Sequence, residues 1–127
     1  MAKIKIAPNP TFKAKVQIPR VGGDAVAVDF EFKYLDRIAL SARLDKWDAE
    51  RDEHLKKVRE DGLSWKDATT AEIAIQVGQL NDIVLGWGFD EKLSDEAMTA
   101  LVTTCVGAAD AVLTAYEAAY RPARLGN

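Results

Sequence analysis

The side chains best suited to acid–base or nucleophilic chemistry are few in this chain. The single histidine, His54, lies in a densely charged run at residues 50–54. An imidazole there could exchange protons near neutral pH, but no candidate nucleophile is paired with it. We therefore interpret His54 as a solvated residue on the surface of a helix.

The single cysteine, Cys105, is a second candidate nucleophile. Its neighbours Leu101, Val102 and Val106 are apolar, which predicts a position in the core. Buried apolar thiols behave as small hydrophobic groups and are chemically inert. A lone cysteine also cannot form an intrachain disulfide, as is typical of a protein that stays in a reducing compartment.

Two pairs of adjacent acids suggest general acid–base chemistry. Asp95 and Glu96 follow Ser94, and negative charges stabilise a helix N-terminus without any catalytic role. Asp90 and Glu91 lie in a predicted loop, where sequence neighbours do not automatically converge. One histidine and one cysteine are too few for a zinc site, and no calcium-loop, phosphate-loop or nucleophile-elbow pattern occurs. We expect a protein that is not an enzyme and uses no metal or other cofactor.

Size and composition favour one domain over residues 1–127. With 48% hydrophobic residues, the chain can bury a core without disulfides or metals. Its apolar runs are shorter than the roughly 20 residues that a membrane-spanning helix requires, and no secretory leader pattern opens it. We expect a cytoplasmic protein with no membrane partner.

The net charge of −3 is mild, but positive charge is concentrated near the N-terminus. The cations of residues 1–24 are Lys3, Lys5, Lys13, Lys15 and Arg20. Clustered cations can bind phosphate groups, but these belong to no recognisable nucleic-acid-binding motif. We interpret them as solvated residues that protect a strand edge, and we expect no nucleic-acid partner.

A β-hairpin is predicted over residues 11–34, after an extended arm at residues 1–10. Apolar and polar side chains alternate over residues 11–18 and again over residues 26–34, a period typical of half-buried strands. Proline and glycine in residues 19–24 predict the turn. An isolated hairpin is marginally stable, so the rest of the chain must cover its apolar face.

Helices are predicted within residues 36–121. The first begins at Asp36 or Ser41, since both residue types are good N-caps, and it ends at Gly62. Its middle section, residues 48–54, has little to bury. We expect this section to project into solvent or toward a partner.

The second helix is predicted to have Thr70 as its N-cap and to end at Gly86 and Gly88. Its apolar residues recur at helical spacing on one face. These residues are Ile73, Val77, Leu80, Val84 and Trp87.

Two shorter helices follow. Ser94 is the predicted N-cap of the third, and Gly107 separates it from a fourth over residues 108–120, which Pro122 closes. The sequence therefore predicts an α+β fold, with an N-terminal antiparallel β-hairpin followed by about four α-helices.

Several segments of the chain, in this order, resemble phage tail assembly chaperones. In the N-terminal part they are KIKIAPNPTFKAKV at residues 3–16, the Gly22-Gly23 turn and DFEFKY at residues 29–34. In the C-terminal half they are IVLGW at 83–87, LSDEA at 93–97, GAA at 107–109 and AAYRPARLGN at 118–127. The resemblance spans nearly the whole chain and is weakest over residues 35–68.

The resemblance implies a role in building the tail of a siphophage-like virion. Such chaperones coat the tape measure protein, keep it soluble and help to recruit the major tail protein before they are shed. It further implies self-association into rings or spirals, a location in the bacterial host cytoplasm and absence from the mature virion. The alternative is a structural tail component, such as a tail completion or connector protein, that stays in the particle.

Candidate partner-binding residues are those whose side chains have no evident role in the predicted fold. Trp87 is assigned to the core through its helical stripe, whereas Trp65 lies between two predicted helices and is the best interface candidate. The lysine-bearing hairpin edge and the charged part of the first helix are further candidate surfaces. The candidate residues are Trp65, Lys13, Lys15, Arg51, Glu53, Lys56 and Lys57.

Overall fold

Three strands and four helices form the part of the chain that the computed structural model describes, residues 3–6 and 9–121. They are β1 Thr11–Arg20, β2 Gly23–Lys33, α1 Arg37–Asp61, α2 Trp65–Asn81, β3 Val84–Trp87, α3 Asp95–Thr104 and α4 Ala108–Ala118. The α+β fold, with its N-terminal hairpin and helices after it, is confirmed. Part of the predicted arm and the predicted closing residue, Pro122, lie outside the described residues.

The hairpin has the two faces that its alternation predicts. β1 and β2 pair antiparallel, with Val16 opposite Val28, and both valines are buried on the core face. Lys13 and Lys15 alternate with the apolar residues of β1 and are exposed on the outer face. Burial on one face therefore fixes the register, because a slip of one residue would move every apolar side chain into water.

The hairpin turn is shorter than the predicted segment of residues 19–24. The chain reverses at Val21 and Gly22, and Gly22 adopts a φ of 75°, which glycine tolerates. Pro19 belongs to β1, at a shift in register between Ile18 and Arg20. Proline is accepted there because a bulge does not require the N–H group that proline lacks.

A third strand replaces the end of the predicted second helix. The helical stripe was expected to continue through Val84 and Trp87, but α2 ends at Asn81 and these two residues belong to β3. β3 pairs antiparallel with β2, with Phe30 opposite Trp87. The prediction was wrong because pairing with a distant strand overrides a local periodicity that the two structures happen to share.

Capping residues decide where the first two helices begin. The Asp36 carboxylate accepts a hydrogen bond from the backbone N–H of Ala39 at 2.8 Å, so α1 begins at the earlier of its two predicted positions. Gly62, with a φ of 60°, ends it as predicted. The prediction of Thr70 as the α2 N-cap was wrong, because Ser64 caps that helix through the N–H of Asp67.

The last two helices complete the core, with α4 packed against β1 and α3 packed against α2. Ser94 caps α3 as predicted, and Gly107 separates the two helices with a φ of 87°. Cys105 is buried, which confirms its core assignment. Within the described ranges no single helix has the length and apolar composition to cross a bilayer, and α3 and α4 pass that test only as a pair bent by 107°.

Two tyrosines connect α4 to the end of β2. The Tyr116 hydroxyl donates to the carbonyl oxygen of Lys33 at 2.9 Å, and the Tyr120 hydroxyl accepts from the N–H of Leu35 at 2.9 Å. The two hydroxyls lie 2.9 Å apart. Since the Tyr116 proton is used on Lys33, Tyr120 must donate to Tyr116, and a single chain of hydrogen bonds satisfies two backbone groups where the chain leaves the sheet.

The environment of Tyr116 favours its neutral form. The side chain is fully buried, and burial raises the pKa of its hydroxyl well above the ordinary value, with the hydrogen bond to Tyr120 adding to the rise. The charge of Arg43 acts in the opposite direction. A raised pKa of an acid means that Tyr116 stabilises the fold most fully below the pKa of an unfolded tyrosine, about 10.

Tyr116→Phe is expected to lower the free energy of unfolding by about 1–3 kcal/mol at neutral pH, because the Lys33 carbonyl loses its partner in a buried place. The wild type should also lose stability as the pH rises above about 10, and this component should be absent in the variant. Urea unfolding at several pH values measures both effects. Tyr34→Phe is the control, because the described residues include no hydrogen-bond partner for the Tyr34 hydroxyl. Equal losses for both variants would contradict the assignment.

Candidate partner-binding surfaces

α1 and α2 form an antiparallel helical hairpin, and polar contacts around Asp82 connect the two helices. The indole N–H of Trp47 donates to the Asp82 carboxylate at 3.1 Å. Arg43 and Lys46 approach the same carboxylate at 3.1 and 3.5 Å. These cations and the indole offset the unfavourable position of an acid at the C-terminus of α2.

The part of the helical hairpin between Trp47 and Ile73 contributes nothing to the core. No hydrophobic residue between Trp47 and Ile73 belongs to the core or packs against it. We call residues 48–72 the helical projection. The prediction that residues 48–54 have little to bury is confirmed, and the projection also includes the first part of α2.

Trp65 lies at the tip of the helical projection, as the first residue of α2. Its side chain is 93% exposed. Local capping explains the Ser64 and Asp67 side chains beside it, but nothing in the described fold uses the indole. Large aromatic residues that a fold leaves in water are typical of contact sites for other proteins.

The four predicted charged residues of α1 lie along the same projection. They are Arg51, Glu53, Lys56 and Lys57, all of them exposed, and none forms an ion pair with another described residue. Lys56 and Lys57 are four to five residues from the end of α1, about 6–8 Å along its axis. They are therefore close enough to Trp65 to contact the same partner, whereas Arg51 lies about 15 Å back from that end.

Arg51 instead contributes to a groove of about 390 Å³ at the base of the helical projection. His54 and Leu55 of α1 line it together with residues of α2 and with Asp110 and Leu113 of α4. His54 is half-buried there, so it lies on the helix surface as predicted but is less exposed to solvent than expected. The exposure of His54 was predicted from its charged sequence neighbours, which give no sign that α4 packs beside it.

Lys13 and Lys15 lie apart from these residues, on the outer face of the sheet. The ammonium group of Lys15 is 2.9 Å from the carboxylate of Asp29 on the neighbouring strand. Both side chains are mostly exposed, so this ion pair contributes little to stability. The strand order β1-β2-β3 makes β1 an edge strand, as the sequence interpretation required.

A groove of about 470 Å³ between β2 and α3 was missed by the sequence interpretation. We call it the tip groove, because it lies beside the hairpin turn. Its lining residues are Arg20, Val26, Ala27, Val28, Trp87, Gly88, Phe89, Asp90, Glu91, Ala97, Ala100, Leu101, Thr104 and Cys105. The acid pair Asp90 and Glu91 thus lies at this groove, with carboxylates beside an apolar surface.

An aromatic corner shapes one wall of the tip groove. The rings of Trp87 and Phe89 meet edge to face, with centroids 5.0 Å apart, and both rings contact Phe30. The Trp87 indole donates to the carbonyl oxygen of Glu91 at 2.8 Å, which holds the loop after β3. The alternation of aromatic residues and glycine over residues 86–89 was the available signal for this corner.

Exposed apolar surfaces on a helical tip and along a strand are typical of a protein that binds other proteins. The chain belongs to the phage tail assembly chaperone family, whose model matches residues 1–127. The resemblance seen in the sequence is thereby confirmed, and the family places the chain in phage tail assembly, with protein partners. No curated protein and no solved structure gave a significant match.

Trp65→Ala is expected to change the free energy of unfolding by less than about 0.5 kcal/mol, as exposed substitutions usually do. Trp47→Ala should cost about 3–5 kcal/mol, because it empties a buried site and leaves Asp82 without its indole partner. Urea denaturation of the two variants and the wild type gives both values. A loss above about 1 kcal/mol for Trp65→Ala would mean that the indole has a structural role after all.

Proposed function

We propose that this chain binds the tape measure protein of its phage, keeps it soluble and assists assembly of the tail tube around it. The observation that carries the proposal is the exposed indole of Trp65 at the tip of a projection that adds nothing to the core. A fold keeps such a side chain in water only against the hydrophobic effect. Membership of the tail assembly chaperone family supports a client from the growing tail.

The chemistry of the tip suits a long helical client. Such a client exposes apolar stripes until the tube covers them, and these stripes promote aggregation. An indole is rigid and apolar over most of its surface, so it can fill a gap between helical side chains at small entropic cost. Many copies, each making one modest contact, would bind an elongated client tightly through multivalency.

Positive charge beside the tip would attract acidic positions of the client. Lys56 and Lys57 are exposed and form no ion pair with a described residue. Acidic positions on the client would be attracted to them, which raises the association rate more than the affinity. Arg51 and Glu53 lie farther from the tip and would contact the client only if it follows the length of α1.

The proposed role includes further partners and a cellular location. We propose that the chain works in the cytoplasm of the bacterial host, helps to recruit the major tail protein and self-associates into a ring or spiral. It then leaves before the virion matures. None of these steps requires catalysis, and the chain is proposed to act by binding alone.

Co-expression with the tape measure protein of the same phage tests the proposal. The wild type should increase the soluble fraction of the client and co-purify with it. Trp65→Ala should weaken the complex about 10- to 30-fold, as removal of an aromatic hot spot does. Val106→Ala, which removes another exposed apolar side chain far along the sequence, is the matched control and should bind normally.

Two outcomes would contradict different parts of the proposal. If the wild type neither co-purifies with the tape measure protein nor changes its solubility, the proposed client is wrong. If Trp65→Ala binds as tightly as the wild type, the client is right but the tip of the helical projection is not the contact.

A further inference from the structure

We propose that residues 3–6 of one copy bind in the tip groove of a second copy, as a strand added to the free edge of β2. This inference rests on the self-association proposed above and assigns it a contact. It uses two features that the client-binding tip does not involve. One is an open strand edge above an apolar groove, and the other is a fully exposed apolar segment.

Half of the outer edge of β2 has no partner strand among the described residues. β3 pairs with β2 only from Phe30 to Phe32, and the last backbone contact on that side runs from the N–H of Gly88 to the carbonyl oxygen of Asp29. Toward the hairpin turn, residues 26–28 pair with β1 and with no described strand on their other side. Backbone groups of alternate residues point to the same side of a strand, so those of Ala27, two residues before Asp29, point to the free side.

The tip groove offers apolar contacts directly beside this free edge. Val26 and Val28 face the groove from β2, and Val26 is 42% exposed although it lies on the core face of the strand. Ala97, Ala100 and Leu101 of α3 form the opposite wall. Small alanine side chains leave space between α3 and the strand, and a strand edge above such space is a site for β-strand addition.

Residues 3–6 have the composition that such a site selects. Lys3, Ile4, Lys5 and Ile6 alternate charged and apolar side chains, the period of a strand with one apolar face. Ile4 is 96% exposed and Ile6 is completely exposed. Isoleucine is among the residues most often buried in proteins, so both side chains lack the surroundings that they favour.

The charges of the two partners are complementary. Asp90 and Glu91 line the tip groove, against the single charge of Arg20 on its other side. With Ile4 and Ile6 facing the apolar wall, Lys3 and Lys5 would point outward. The lysines would stay in solvent, but the groove lining carries more acidic than basic groups, and its net negative charge would still attract this segment over an acidic one.

The geometry of the chain requires that the groove belong to another copy. Ile6 and Thr11 are five residue steps apart, a span of at most about 18 Å. Val26 pairs with Ile18, which lies seven residues along β1 from Thr11, or about 23 Å, and the groove lies on the far side of β2. Ile6 therefore cannot reach Val26 of its own copy.

The contact would be heterologous, because the segment and the groove are different surfaces. Each copy in a row would use its segment on one neighbour and its groove on the other. Such a contact leaves a free segment at one end and a free groove at the other, and it continues until it closes into a ring or extends as a helix.

The test combines a segment variant with a groove variant. Ile4→Asp with Ile6→Asp places charges in the segment, and Ala100→Trp fills the groove from an exposed position of α3. Ile38→Asp, an equivalent change at an exposed isoleucine of α1, is the matched control. Sedimentation velocity over a range of concentrations measures the association of each protein, and circular dichroism verifies that each is folded.

The wild type and Ile38→Asp are expected to associate, whereas the segment and groove variants should each associate at least about tenfold more weakly. A mixture of the two weakened variants should form one-to-one dimers, since each supplies the surface that the other lacks. A wild type that stays monomeric, a segment variant that associates like the wild type, or a mixture that forms no dimers would overturn the proposal.

Co-purification with the tape measure protein separates this inference from the proposed function. The segment variant retains Trp65, so each copy keeps its own contact with the client and should still bind it, more weakly only by the multivalency that is lost. Client binding together with unchanged association overturns the segment contact alone, whereas loss of client binding by the wild type overturns the proposed function.

Discussion

A β-hairpin with one apolar face must bury that face, and the burial of this face by α4 determines where the other elements lie. Phe30 and Phe32 of β2 are fully buried, and Phe32 packs against Tyr116 of α4 with ring centroids 5.2 Å apart. The hydroxyls of Tyr116 and Tyr120 then satisfy the backbone at Lys33 and Leu35. Because α1 begins immediately after this point, the same contacts fix the direction in which it leaves the sheet.

The surfaces proposed for binding are those that this packing leaves uncovered. The core is complete at the level of Trp47 and Asp82, so α1 and α2 are free to extend beyond it with Trp65 at their tip. β3 has only 4 residues and therefore covers part of one edge of β2. The projection contributes nothing to the core, and half of the β2 edge has no described partner strand. Both surfaces can therefore bind other proteins without any cost to the stability of the fold.

Local chemistry made much of the fold predictable, and non-local pairing explains what was missed. The hairpin was predicted from alternation because each strand has one buried face. Ser94 as the N-cap of α3 and Gly107 as the break before α4 were predicted correctly because neither had an alternative candidate. Asp36 and Ser41 are both cap residues, so only the structure could choose between them. Val84 and Trp87 fit a helical stripe by spacing alone, and their true partner, β2, lies more than fifty residues earlier. Trp65 was chosen as an interface candidate because it lies between two predicted helices, whereas the tip groove depends on the distance between β2 and α3, which no local pattern encodes.

The central claim is that the chain acts on the growing tail and then leaves it. Quantitative mass spectrometry of assembling tails and of purified mature virions from the same culture tests this claim most directly. The account predicts that the chain is abundant with the tape measure protein in assembling tails and strongly depleted from mature virions. A constant, stoichiometric amount in mature virions would contradict it and would identify the chain as a structural tail component.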